Sequence, residues 1–145
     1  MKTDPELLKW VMVHEPEASV WWDETRDLYH QAFAIKDWDT MEFILENIYR
    51  YRVSMPASDR GVWACESARL AALGRKNLAR AKRFLEEAEA YPPDGLSDLW
   101  IARAAVAELS GDLESARLSA RAGLEALGET PDLSLDRAWL ERLAR

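Results

Sequence analysis

The chain contains a single cysteine, Cys65, and two histidines, His14 and His30. One thiol cannot close an internal bridge, which excludes a disulfide scaffold and the paired-cysteine spacing of a zinc site. There is no HExxH pair, and the six glycines form no phosphate-cradling loop, so the common metalloprotease and nucleotide-binding signatures are missing. No apolar run approaches the roughly 18 to 20 residues of a membrane span. The opening MKTDPELLKW has neither the apolar core nor the small-residue cleavage site of a signal peptide. No stretch alternates apolar and polar residues with period two, so no strand is expected. Cys65 falls in an alanine-rich helical run, where a small buried thiol is common. These features point to a soluble protein of the reducing cytoplasm, with no membrane partner, no cofactor, no metal and no catalytic residue expected.

Tryptophan, by contrast, is abundant. There are seven in 145 residues, and Trp63, Trp100 and Trp139 each lie near the start of a helical stretch, spaced by 37 and 39 residues. Self-similarity at this period marks a helical-repeat scaffold. The register continues inside the units: Leu78 and Ala81 recur as Leu113 and Ala116, with Trp38 and Met41 in the matching places of a first copy. The length suits one compact domain that buries roughly 68 to 70% of its unfolded surface.

Helix punctuation gives about eight helices. Asp4-Pro5 opens one that runs to about His14, and a second spans about Glu17 to Ile35. Asp37 caps a third, with Trp38, Met41, Leu45 and Ile48 on one stripe, ending before Pro56. Ser58 and Asp59 offer caps for a fourth, about Arg60 to Leu73, that stops at Gly74. A fifth covers about Asn77 to Ala90 before Pro92 and Pro93. Ser97 and Asp112 open the sixth and seventh, which stop near Gly111 and Gly128, and an eighth follows Pro131 with Leu135, Trp139, Leu140 and Leu143. The class is all-α, with short loops that make neighbours antiparallel.

The unit from Trp100 to Gly128 resembles a tetratricopeptide repeat. That family places a tryptophan and, four residues on, a small residue early in the first helix, and an alanine early in the second. Trp100, Ala104 and Ala116 hold those places, and Gly111-Asp112-Leu113-Glu114-Ser115-Ala116 is close to the family's inter-helix turn. In the preceding unit Trp63, Ser67 and Ala81 correspond, the turn is about two residues longer, and Pro93 falls near the family's terminal proline. Leu28, Met41 and Leu45 match in the first unit, where Tyr29 occupies a place normally small. The resemblance covers residues 20 to 128 as three degenerate helix pairs. Residues 1–19 are then an N-terminal capping helix and 129–145 a C-terminal helix that closes the array.

What the resemblance implies is a short right-handed superhelix whose first-helix faces line a concave groove for an extended peptide or a partner helix. In that register the groove residues are His30, Phe33, Ala64, Ala68, Ala71, Ile101, Ala105 and Glu108. Family members that grip a terminal carboxylate use lysine, arginine and asparagine there; Ala68, Ala105 and Glu108 argue against such a clamp. An alanine floor suits an apolar helix, supplied either by a partner or by the chain's own first helix through Leu7, Leu8, Val11 and Met12.

Charge suggests a second surface. Residues 1 to 47 carry eleven acids and four bases, residues 48 to 85 two acids and nine bases, and residues 86 to 145 thirteen acids and six bases. Net charge is −7 overall, which disfavours nucleic acid as the main partner. The basic band gathers Arg75, Lys76, Arg80, Lys82 and Arg83 near the start of the fifth helix, with Arg50 and Arg52 interleaved with Tyr49 and Tyr51. It reads either as a salt-bridged face, with Arg80 and Arg83 spaced to meet Glu87, or as a surface for an acidic protein or nucleic acid. The alternating charge blocks also permit a homo-oligomer. Adjacent Trp21 and Trp22 point about 100° apart on a helix, so they serve either packing or an interface. Asp23, Asp27 and His30 read as a solvated cluster rather than metal ligands, and Arg26 to His30 is one residue short of the spacing in some helical nucleases. The expected function is a protein-binding adaptor; the alternatives are an oligomerising regulatory subunit with no open groove and a nucleic-acid-associated factor.

Overall fold

The computed structural model describes Tyr29 and residues 31–49, 57–93, 96–128 and 136–145. The chain divides into two compact units, Met1–Pro56 and Ala57–Arg145. The first contains α1 (Trp38–Tyr49). The second contains α2 (Ala57–Arg69), which continues as a π-helical turn (Leu70–Gly74), then α3 (Leu78–Ala90), α4 (Leu96–Ser110), α5 (Leu113–Leu127) and α6 (Asp136–Leu143). Among the described residues there is no strand, and the protein is all-α. The expected first helix lies outside the described residues, as do Trp21, Trp22 and most of the expected second helix.

In the first unit, residues 31–34 are helical and end at Lys36, whose φ is +58°. The Lys36 amide donates to the Phe33 carbonyl (3.1 Å) and the Asp37 amide to that of Ala32 (2.8 Å), which closes the helix end. Asp37 then caps α1, accepting from the Thr40 amide at 3.2 Å and the Thr40 hydroxyl at 2.6 Å. The apolar stripe read from the sequence is the buried one: Met41, Leu45 and Ile48 are inside, joined by Ile44. Burial of such side chains contributes roughly 1.5 to 3 kcal/mol each before ordering costs. Trp38 is half-buried and meets Phe33 edge-on with ring centroids 6.1 Å apart.

In the second unit each helix packs on its neighbours, α2 on α3 and α4, α3 on α4, α4 on α5, and α5 on α6. The joint between α4 and α5 repeats the one in the first unit. Gly111 takes φ +82°, its amide donates to the Glu108 carbonyl (3.1 Å) and the Asp112 amide to that of Ala107 (3.0 Å). Asp112 accepts from the Ser115 amide (3.1 Å) and hydroxyl (2.8 Å). A turn this short reverses the chain, so α4 and α5 run antiparallel along their length.

The middle joint is a variant of the same device. Lys76 takes the left-handed conformation (φ +53°), and Asn77 caps α3 by accepting from the Arg80 amide at 3.1 Å. Thirteen residues separate Trp63 from Lys76, against eleven between Trp100 and Gly111. The added length is taken up in the helix and not in the loop: Arg75 donates five residues back to the Leu70 carbonyl (3.1 Å), and Asn77 six back to that of Ala71 (2.8 Å). Gly74 is therefore the last residue of the π-helical turn, and the helix stops within one residue of the expected place. At its other end α2 begins at Ala57, so Ser58 and Asp59 occupy the first turn and do not precede it. Despite the variation, the fourth helical position after each cap is buried alike at Met41, Ala81 and Ala116.

Small side chains set the helix spacing. Ala116, Ser119, Ala120 and Gly123 form the buried stripe of α5, and Ala120 meets Ala104 of α4 in one core cluster. Ala116 is 1% exposed. Ala116→Leu should lose on the order of 1 to 3 kcal/mol by overpacking; a thermal melt matching the parent would refute the proposed helix-pair register. The closing helix α6 buries Leu140 completely, and its arginine Arg137 donates to the Gly128 carbonyl at 2.8 Å. Trp139 packs against both core clusters of this unit.

Candidate interaction surface

The alanines assigned to a groove floor are interior. Ala64, Ala68 and Ala105 are fully buried, and Ala71 and Ile101 nearly so. They do not share one face either. Ala71 and Ala105 belong to a cluster with Ala72, Ala81 and Val106, ringed by Leu73, Leu78, Phe84, Leu85, Leu109 and Trp139. Ile101 belongs to the other cluster, with Ala104, Ala120 and Leu140. Phe33 and Glu108 are half-buried, and His30 lies outside the described residues. In this structure the floor residues hold helices together and offer little surface to a ligand. Every residue from Trp63 to Ala72 is buried, so the second half of α2 and the start of the π-helical turn are covered all round.

A central helix rarely carries charge, yet this one holds Glu66 and Arg69, whose side chains pair at 2.9 Å one turn apart. Removing either partner would take a counter-charge from a buried ion. Beside them the Ser67 hydroxyl has no hydrogen-bond acceptor or donor, so its place rests on size, in keeping with its position among the small residues of the repeat register. Cys65 is buried, and its thiol is pushed far above the ordinary range by burial and, secondarily, by the Asp98 and Glu66 carboxylates. It is held as a neutral thiol and is a poor nucleophile. Among the described residues no three His, Cys, Asp or Glu side chains are placed to hold a metal ion, and no helix is long and apolar enough to cross a membrane. Asp23 and Asp27 lie outside the described residues.

The outward surface lies on the second helix of each pair. On α5, Leu113 is 65% and Leu118 59% exposed, large apolar side chains with no place in the core. Sequence reasoning missed both, because Leu113 shares its register position with half-buried Leu78 and Trp38. On α3 the structure brings the basic band together at the helix start: Arg75, Lys76, Lys82 and Arg83 are exposed, and Arg80 is half-buried with its guanidinium 5.5 Å from the Phe84 ring centre. Glu87, expected to meet Arg80 and Arg83 along the helix, is instead bound by Arg60 of α2 at 2.7 Å. Arg60 also stacks over the Tyr91 ring, 3.9 Å from its centroid. This tertiary clamp ties the end of α3 to the start of α2.

Asp112 is held as a carboxylate below the usual range by the Ser115 hydroxyl and amide. A group with a depressed folded-state value stabilises above its unfolded value and loses that contribution as pH falls through the folded one. Acidification should therefore loosen the start of α5, measured as a smaller protection factor of the Ser115 amide once its exchange is divided by the intrinsic rate at each pH, and Asp112→Asn should flatten that dependence. The chain matches no protein-family model, and no curated protein and no solved structure is significantly similar to it.

Proposed function

We propose that this chain is a protein-binding scaffold of tetratricopeptide-like helix pairs, acting as an adaptor in the cytoplasm and not as an enzyme. The observation that carries this reading is the inter-helix joint that recurs at Lys36-Asp37, Lys76-Asn77 and Gly111-Asp112. Repeat architectures of this kind present extended surfaces rather than reaction centres. Burial of the alanine floor moves the contact outward, to the second helices α3 and α5, where Leu113 and Leu118 would serve as apolar anchors.

A nuclease-treated pull-down from the source cell's extract tests this, comparing the parent with Leu113→Ser/Leu118→Ser. One specific protein lost with the variant supports the scaffold and identifies the contact. Equal retention of only abundant background proteins by both would sink it. The second reading, an oligomerising subunit with no open groove, is favoured by the same buried floor. It predicts concentration-dependent mass in sedimentation, abolished by the same two substitutions.

A further inference from the structure

We propose that the cationic corner formed by the joint between α2 and α3 docks an acidic polypeptide segment. This deepens the scaffold reading and rests on it. The starting observation is a departure from local rules. The other two joints use an aspartate cap and place an acid in the first turn that follows, Asp37 with Asp39 and Asp112 with Glu114. Both suit the partial positive charge at a helix N-terminus.

The middle joint lacks both acids. Its cap is the neutral Asn77, the first turn of α3 has no acid, and residues 67 to 85 contain none at all. Lysine fills the left-handed position, as Lys36 does in the first joint and unlike Gly111 in the last, a backbone conformation disfavoured for any residue with a Cβ. Arg80, Lys82 and Arg83 follow within the next turn and a half. Arg80, in the first turn of α3, is placed where helix electrostatics opposes a cation, and with no acid in that turn to offset it the departure points to function rather than folding. Lys76, Lys82 and Arg83 are exposed. The nearest helical carboxylates are Glu86, exposed on the next turn, and Glu87, drawn across to Arg60.

The shape of the corner selects its occupant. Positive charge covers only the first two turns of α3, roughly 10 to 12 Å, before exposed Glu86 and Glu89 reverse the sign. A phosphate backbone continuing along the helix would meet those carboxylates. No base-stacking platform adjoins the corner among the described residues: Phe84 is turned edge-on to buried Trp63, centroids 5.5 Å apart. A short run of aspartate or glutamate side chains fits both the reach and the sign.

Fluorescence anisotropy with a short fluorescein-labelled Glu-rich peptide decides the matter. The variants are Lys82→Glu/Arg83→Glu at the corner and Arg117→Glu/Arg142→Glu on α5 and α6, all at exposed positions and equal in net charge change. Docking at the corner predicts affinity about tenfold weaker for the first variant, within about twofold of the parent for the second, and falling with added salt. Equal losses in both variants would reduce the effect to net charge and overturn the proposal, as would tighter binding of an oligothymidylate than of the peptide. A parent that ignores the peptide yet still captures its protein through Leu113 and Leu118 would sink the corner and leave the scaffold standing.

Discussion

Gly61→Ala is expected to cost about 3 kcal/mol or more, read as a fall in the denaturation midpoint at an unchanged slope. The position is one turn into α2, where the carbonyl oxygen of Tyr91 and the backbone of Pro92 and Pro93 lie directly against it. A methyl group there would overlap main-chain atoms, and two consecutive prolines cannot yield by rotating a side chain. Relief would require the end of α3 to lift away, giving up the Arg60 stack on Tyr91 and the 2.7 Å pair with Glu87. Gly111→Ala supplies the contrast. No heavy atom lies within 4 Å of a Cβ built there, and only its φ of +82° is unfavourable, so a loss of roughly 1 to 2 kcal/mol is expected. Similar losses at both sites would mean that close approach of the proline segment contributes nothing.

The second large effect is at Ala105, the residue on which an open groove and a closed core disagree most sharply. Ala105 has no exposed surface and contacts a cluster of alanines and Val106. Ala105→Glu would force a carboxylate into this apolar cluster, where burial disfavours its charged form and there is no room for the longer side chain. A loss of more than about 4 kcal/mol is expected, enough to abolish cooperative melting in a protein of ordinary stability. A variant that melts like the parent would return Ala105 to solvent and restore the concave floor as the binding surface.

These cases show what could be read in advance. The caps Asp37 and Asp112 were legible because a capping side chain bonds the backbone three residues on, an interaction contained within the local sequence; Asn77, read as the first helical residue, is a cap of the same kind. The buried stripe of α1 was legible for the same reason, since helical spacing decides which side chains share a face. What covers a face is another matter. Alanine at positions 64, 68, 71 and 105 reads equally as the floor of a groove or as the contact of two close helices, and only long-range packing separates them. Glu87 illustrates the limit most simply: local spacing offered it Arg80 and Arg83, and a neighbour 27 residues away holds it. The π-helical turn left no trace in composition, although Gly74 marked where it ends.

Cys65 turns the central helix into its own reporter. Because the chain has no other thiol and this one is buried and protonated, a disulfide reagent added in excess can react only during the moments when α2 is uncovered. The labelling rate, divided by that of a small model thiol, then measures how often the packing around α2 opens. A binding partner that merely touches the outside would leave that rate unchanged, whereas one that tightens the whole stack would slow it, so a single native side chain separates the two kinds of association without any added label.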